Sequence, residues 1–204
     1  MNMQRLQRKL KAVRQQGIAR SIRIILDRAA LRLLRRLYGF NPWHAESPLS
    51  ARPYRRTVAE MVNALQPDCV VEIGCGLGVT LSLVNARHRH GYDLDAGAIR
   101  AARLLRSHDI VFTHGDMSCV SETAIDVLIL VNWIHEFSPQ QLTTWLQPLL
   151  PRTRFLLLDA IDTDNPLDYR FKHDFSFLDG KAELVSEARH ANEGRRFLLY
   201  KVFS

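Results

Sequence analysis

The sequence predicts an α/β fold: a mostly parallel sheet with helices on both faces and an antiparallel hairpin at its C-terminal end. Three observations predict it. Short runs rich in Val, Ile and Leu recur after residue 68, each bounded by turn formers. Segments of helical period separate them, which is the alternation that builds parallel sheets. The last two segments, 182–192 and 195–203, flank Asn192-Glu193-Gly194 and read as a hairpin.

Taken in order, apolar residues at Leu6, Leu10, Val13, Ile18, Ile22, Ile25, Ala29, Leu33 and Leu37 predict helix over 3–38, interrupted at Gly17. Three prolines and several turn formers make 41–53 a linker or structured loop. A helix follows over Tyr54–Leu65 and stops before Pro67. Cys69–Gly74 is strand-like, Val79–Ala86 short and helical, and Arg89–Asp93 strand-like. Ala96–Ser107 is helical, Ile110–Thr113 a short strand and Asp126–Val131 a fully apolar strand. Ser138 can cap a helix running to Leu150, with Pro139 at its first position. Phe155–Ala160 is a further apolar strand. The organisation is a basic helical extension (1–40), a linker (41–53) and a main domain (54–204).

With 204 residues and 47% apolar composition, the chain can bury a full core. It lacks an uncharged apolar run long enough to span a bilayer, and Ile24-Ile25-Leu26 is too short for a signal-peptide core. Cys69, Cys75 and Cys119 form neither an even framework nor a metal-ligand spacing, and "HRH" at 88–90 is too isolated for a metal site. Free thiols point to a reducing, cytoplasmic compartment. The net charge of +7 is unevenly placed: residues 1–40 carry eleven Lys/Arg and one acid, for +10, and the rest of the chain sums to −3. A partner attracted by charge therefore meets the extension. That partner could be an anionic membrane surface, nucleic acid, or only the chain's own domain.

The stretch "VVEIGCGLGVTL" (70–81) carries the functional signal. Glycines at 74, 76 and 78 follow a buried strand and imply a sharply turning backbone with something bulky pressed against it. In open parallel sheets ligands bind beyond the carboxyl ends of the strands. The spacing is not G-x-G-x-x-G, because Val79 stands where the third glycine would be, and the Lys-Ser/Thr of a phosphate-binding loop is absent. Asp93 ends the next strand 19 residues after Gly74, where a carboxylate can accept both hydroxyls of a ribose. Asp95 suits a helix cap better.

With "VVEIGCGLG" and "GYDLDAGAI", residues 55–160 resemble the class I S-adenosylmethionine-dependent methyltransferases, which have a Rossmann-like sheet. The resemblance implies that Gly74, Gly76 and Gly78 let the backbone approach the cofactor, that Glu72 sets the loop near its ammonium group, and that Asp93 binds its ribose. "HGDM" places Asp116 on the adenine amine and Met117 against the ring. "DVLILVNWIHEF" places Asn132 and Trp133 beside the methyl group. "YGFNPWHAESPLSARPY", "NWIHEF" and "YRFKHDFSFL" are also similar to bacterial methyltransferases of extracellular polysaccharide and lipopolysaccharide pathways, which likewise begin with an Arg-rich helical tail. The expected acceptor is then a glycan, a lipid-linked intermediate or a small molecule, modified at the inner membrane surface.

Methyl transfer needs alignment and, for a hydroxyl acceptor, a base. His135 is the first candidate and His173 the second, with Asp174 beside it in a long irregular segment suited to a substrate loop. Arg52 and Tyr54 are candidates for the cofactor carboxylate or an acidic acceptor, and Trp133 for stacking on the acceptor. Three other functions compete. A base methyltransferase would use the extension on phosphates, but the Asn/Asp-Pro-Pro-aromatic tetrad is replaced by Asn132-Trp-Ile-His135. A non-catalytic module could bind the cofactor without turnover. A nicotinamide-dependent oxidoreductase is disfavoured by Val79.

Overall fold

The computed structural model describes residues 17–106, 108–161, 169–190 and 194–203. Seven strands form a single sheet: β1 Cys69–Ile73, β2 His88–Asp93, β3 Ile110–His114, β4 Ile125–Leu130, β5 Thr153–Ile161, β6 Ala182–His190 and β7 Arg195–Val202. Their order is β3-β2-β1-β4-β5-β7-β6, parallel as far as β5 and antiparallel for β7 and β6. The chain therefore runs outward from β1 in one direction and from β4 in the other. The crevice where ligands bind in such sheets lies between the loops that leave these two strands.

The apolar strands bury both faces, and their pleat sends alternate side chains to opposite cores. Val71, Leu128, Leu156 and Leu158 join Leu142 and Leu146 of α5 (Pro139–Leu146) on one face. Val70, Val127, Ile129 and Leu157 meet Val58 and Val62 of α3 (Tyr54–Asn63) and Ile99 and Ala102 of α4 (Ala96–Leu105) on the other. In α5, the Ser138 side chain accepts from the Gln141 amide and the Gln141 side chain accepts from the Ser138 amide. This capping box satisfies two donors that would otherwise lack partners.

Two further helices precede the sheet: α1 (Ile18–Tyr38) and α2 (Pro42–Glu46). Gly39 ends α1 in the left-handed conformation, its amide donating to Arg35 O at 2.7 Å. Asn41 starts α2 by accepting from the Trp43 amide. A third apolar cluster, including Phe40, Ala45, Leu77, Val79 and Ala98 with Leu31 and Leu34 against it, fixes both helices to α4 and to the glycine loop. The segment read as a linker or structured loop thus contains a helix packed on the glycine loop. The helical period before Gly17 lies outside the described residues, as do Asn192 and Glu193 of the hairpin turn.

Other departures from the sequence reading are local. Val79–Ala86 forms only a 3-10 turn at Leu81–Leu83, because Val84 is already extended and the Asn85 amide donates to Asn63 Oδ1, drawing the chain into β2. The helix at 138–150 stops at Leu146, and a 3-10 turn follows at Leu150–Arg152. β5 is longer than the run Phe155–Ala160 because β4 already pairs with Thr153 at its start and β7 pairs with it through Ile161 at its end.

Candidate functional site

The site is built at the carboxyl edge of β1, β2 and β4. Gly74, Gly76 and Gly78 all have positive φ, at 74°, 53° and 65°, a region costly for residues with a Cβ. The turn is stitched to β2: the amides of Gly74 and Cys75 both donate to Tyr92 O, at 2.8 and 3.0 Å. The bulk pressed against the glycines includes the protein's own rings. A Cβ on Gly74 would lie 2.2 Å from the Trp133 indole, and one on Gly76 would lie 2.7 Å from the His44 imidazole. Trp133 is held there by its indole N–H, which donates to Ile73 O at 2.6 Å.

Asp93 stands beside this turn at the end of β2. One carboxylate oxygen accepts from the Gly76 amide at 2.7 Å and the other from the Asp95 amide at 2.8 Å. Each oxygen keeps a second lone pair for a further donor. Asp95 caps α4 through the Ala98 amide and also accepts from the Asn41 amide at 2.6 Å. His44 Nε2 lies 3.6 Å from Asp95 Oδ2, and burial pushes the His44 imidazole below its ordinary pKa despite both aspartates. His44 is a neighbour of the site that sequence reasoning missed. Its only signal is its place among the prolines of 41–53.

Glu72 is buried beneath the turn. Burial raises its pKa to about 7, opposed by Arg55, the Thr80 hydroxyl and the Leu81 amide, and its Oε2 has no hydrogen-bond partner within the protein. A carboxyl that titrates near 7 in the folded chain and near the ordinary 4.5 when unfolded binds more protons folded than unfolded in the interval between. Stability therefore falls as pH rises from about 4.5 to 7, and the penalty stays in full above that. Glu72→Gln should flatten this slope and raise the melting temperature above pH 7. Thermal scans across this range check it, and an unchanged slope would contradict it.

Asp116 is exposed and accepts from the Ser118 amide and hydroxyl, which lower its pKa, while Met117 packs into the core against Tyr92 and Val120. Asn132, separated from the end of β4 by Val131, adopts φ 84°. Its amide donates to Asp159 Oδ1 at 2.8 Å, and its side-chain oxygen accepts from Arg195 at 3.1 Å. Asp159 and Arg195 form a fully buried pair at 2.7 Å, and Arg195 also donates to the Tyr169 hydroxyl at 2.6 Å. Burial alone would push the Asp159 carboxyl up, but His135, Arg195 and the Asn132 amide hold it below its usual value. The acid inside "LLLDAI" was the available sequence signal for this network, of the same kind as Glu72 inside "VVEIG".

The structure places three candidates deeper than expected. His135 is completely buried, its Nε2 3.3 Å from Asp159 Oδ2. His173 is 8% exposed, and its Nε2–H donates to Ile134 O at 3.0 Å, which leaves the lone pair on Nδ1. Burial, with His135 nearby, lowers the His173 pKa, opposed by the Ile134 carbonyl. Tyr54, expected at a ligand, is instead a core residue. Its ring stacks on Phe197 at 5.5 Å, with the Arg195 guanidinium 5.1 Å from its centroid. Arg52 is half-buried in the turn before α3. Asp174 is exposed and closes a local turn onto the Ser176 amide and hydroxyl. An open groove of about 1020 Å³ lies at the opposite edge of the sheet, among Cys69, His88 and Thr153 at strand beginnings, and does not reach this turn.

No protein-family model matches the chain, and no curated protein matches it. Solved structures do. The N-methyltransferase NodS from Bradyrhizobium japonicum, in complex with S-adenosylhomocysteine, is 14% identical with a TM-score of 0.65, covering 84% of this chain and 97% of its own. The magnesium protoporphyrin IX methyltransferase of Synechocystis, with S-adenosylhomocysteine bound, is 15% identical with a TM-score of 0.60, covering 89% and 98%. The bifunctional kinase-methyltransferase WbdD is 16% identical with a TM-score of 0.54, covering 76% of this chain and 40% of its own. The sheet of this chain and the helices around it have the fold of these proteins.

Proposed function

We propose that this chain is an S-adenosylmethionine-dependent methyltransferase, acting on a hydroxyl of a glycan, a lipid-linked intermediate or another small molecule. One observation carries the reading. The strand order reverses between β1 and β4, and there a tight glycine turn, a carboxylate at the end of β2 and a left-handed Asn132 meet at one edge. The residues fit the group: Glu72 Oε2 is a buried acceptor still lacking a donor, and the Asp93 oxygens keep lone pairs for two hydroxyls. When bound, the sulfonium supplies an activated methyl group.

In this reading Gly74–Gly78 present backbone to the cofactor, Asp93 holds its ribose, Glu72 faces its ammonium side, and Asp116 and Met117 border the adenine. Asn132 and Trp133 flank the transfer position, with Asn132 fixed from behind by Asp159 and Arg195. An alcohol acceptor loses its proton as it attacks, so the base must be neutral at working pH. Depression of its pKa keeps His173 neutral, and Nδ1 is the atom with a lone pair to accept that proton. His135, turned toward Asp159, is the second candidate. Asp174 and Arg52 remain the proposed acceptor contacts.

The extension, with its charge of +10, suits the anionic cytoplasmic side of a membrane, where lipid-linked acceptors reside. Incubating the full chain with methyl-labelled S-adenosylmethionine and a cell-envelope extract should put label into glycan or lipid material. Label entering RNA alone, under the same conditions, would overturn the acceptor class.

A further inference from the structure

α1 has two apolar faces, and only one of them is covered. Ile24 is buried, and Leu31, Leu34 and Tyr38 pack inward toward α2 and α4. On the opposite side Ile18, Ile22, Ile25, Leu26, Leu33 and Leu37 are each between 53% and 75% exposed. At 100° per residue these six fall within about a third of the helix circumference and run the whole length of the helix, about 30 Å. A monomeric soluble surface seldom carries so continuous a stripe without a partner.

Charge selects the partner. Arg23 and Arg32 lie along the flanks of the stripe and Arg36 within its arc near the C-terminal end; all three are exposed, with Arg23 4.0 Å from Asp27 and Arg32 bonded to Glu46. The acids near the helix are already engaged: Asp27 accepts from the Ser50 hydroxyl at 2.5 Å, and Glu46 accepts from Arg32 at 2.6 Å. A second copy docked on this face would bring two segments of +10 together, a like-charge contact with no acid to relieve it. Nucleic acid would use the arginines but leave the Ile/Leu stripe in water. An anionic bilayer accepts both: the apolar residues enter the acyl boundary and the arginines meet lipid phosphates.

We infer that the outward face of α1 is a membrane-docking face, with the helix lying in the plane of an anionic bilayer. The inference deepens the proposed reading, on which it rests for an acceptor presented at a membrane; the docking itself rests on α1 alone. Because α1 is packed on α2, and α2 places His44 on Gly76, docking sets the candidate site at a fixed height above the lipid.

The test is co-sedimentation of the full chain with vesicles of phosphatidylcholine alone and with phosphatidylglycerol added, at low and high salt. The wild type should sediment only with the phosphatidylglycerol vesicles, and high salt should weaken but not abolish binding once the stripe is inserted. Ile25→Asp with Leu33→Asp, both on the solvent side, should lower partitioning at least about tenfold. Circular dichroism and S-adenosylhomocysteine affinity should not change. A wild type that ignores anionic vesicles, or a double variant that binds them equally well, overturns the inference. So does concentration-dependent self-association that the same substitutions remove. Vesicle binding without any S-adenosylhomocysteine binding would leave the docking face standing and remove the methyltransferase reading instead.

Discussion

Asp93→Ala should weaken S-adenosylhomocysteine binding by at least about 100-fold. Two hydroxyl donors to one carboxylate are worth on the order of 1.5–3 kcal/mol each, and each 1.4 kcal/mol is about a factor of ten. The substitution also removes the acceptor for the Gly76 amide and for the Asp95 amide, at 2.7 and 2.8 Å, so the turn loses its brace at the same time. Asp93→Asn separates the two contributions, because it keeps one oxygen acceptor and loses the charge. Its affinity should lie between those of the wild type and the alanine variant. Binding unchanged in Asp93→Ala, measured by calorimetry, would place the ligand elsewhere.

The second large effect concerns stability. Arg195→Met leaves Asp159 charged and buried without its guanidinium, and breaking a buried pair in this way costs about 3–5 kcal/mol. For a chain of this length that corresponds to a fall in melting temperature of roughly 10 °C. The same guanidinium holds Asn132 Oδ1, the Tyr169 hydroxyl and the face of Tyr54, so the loss reaches the loop after β4 and the segment that carries His173. Adding Asp159→Asn should recover part of the loss, since no unpaired buried charge then remains. A single Arg195→Met variant that melts like the wild type would show that the pair does not hold the site together.

These two predictions draw on different degrees of legibility. The position of Asp93 was readable because it depends on spacing: a glycine turn after one strand and an acid at the end of the neighbouring strand lie side by side at the sheet's carboxyl edge. The strands were readable because buried parallel strands are apolar on both faces, as Asp126–Val131 and Phe155–Ala160 are. Arg195 was hidden because its partner lies 36 residues away across an antiparallel pairing, and sequence pattern does not fix that register. His44 was hidden because 41–53 looked like punctuation, whereas Asn41 and Pro42 in fact start a helix. The glycines themselves were half explained. Their positive φ follows from the turn, but the rings of Trp133 and His44 that demand small residues come from β4's loop and α2, and only the fold brings them there.

The catalytic candidates show where sequence reading stops. His135 follows β4 closely enough to suggest a group facing the crevice, yet the turn Trp133–Glu136 rotates it inward onto Asp159. His173 is held by a backbone carbonyl that no local pattern announces. Burial changes what each imidazole can do, and burial is a property of the assembled sheet.

The most direct test of the whole account is titration of the full-length wild type with S-adenosylhomocysteine and, separately, with NAD. The account predicts saturable one-to-one binding of the nucleoside thioether and no heat from the dinucleotide. Heat from NAD alone, or from neither compound, would contradict it.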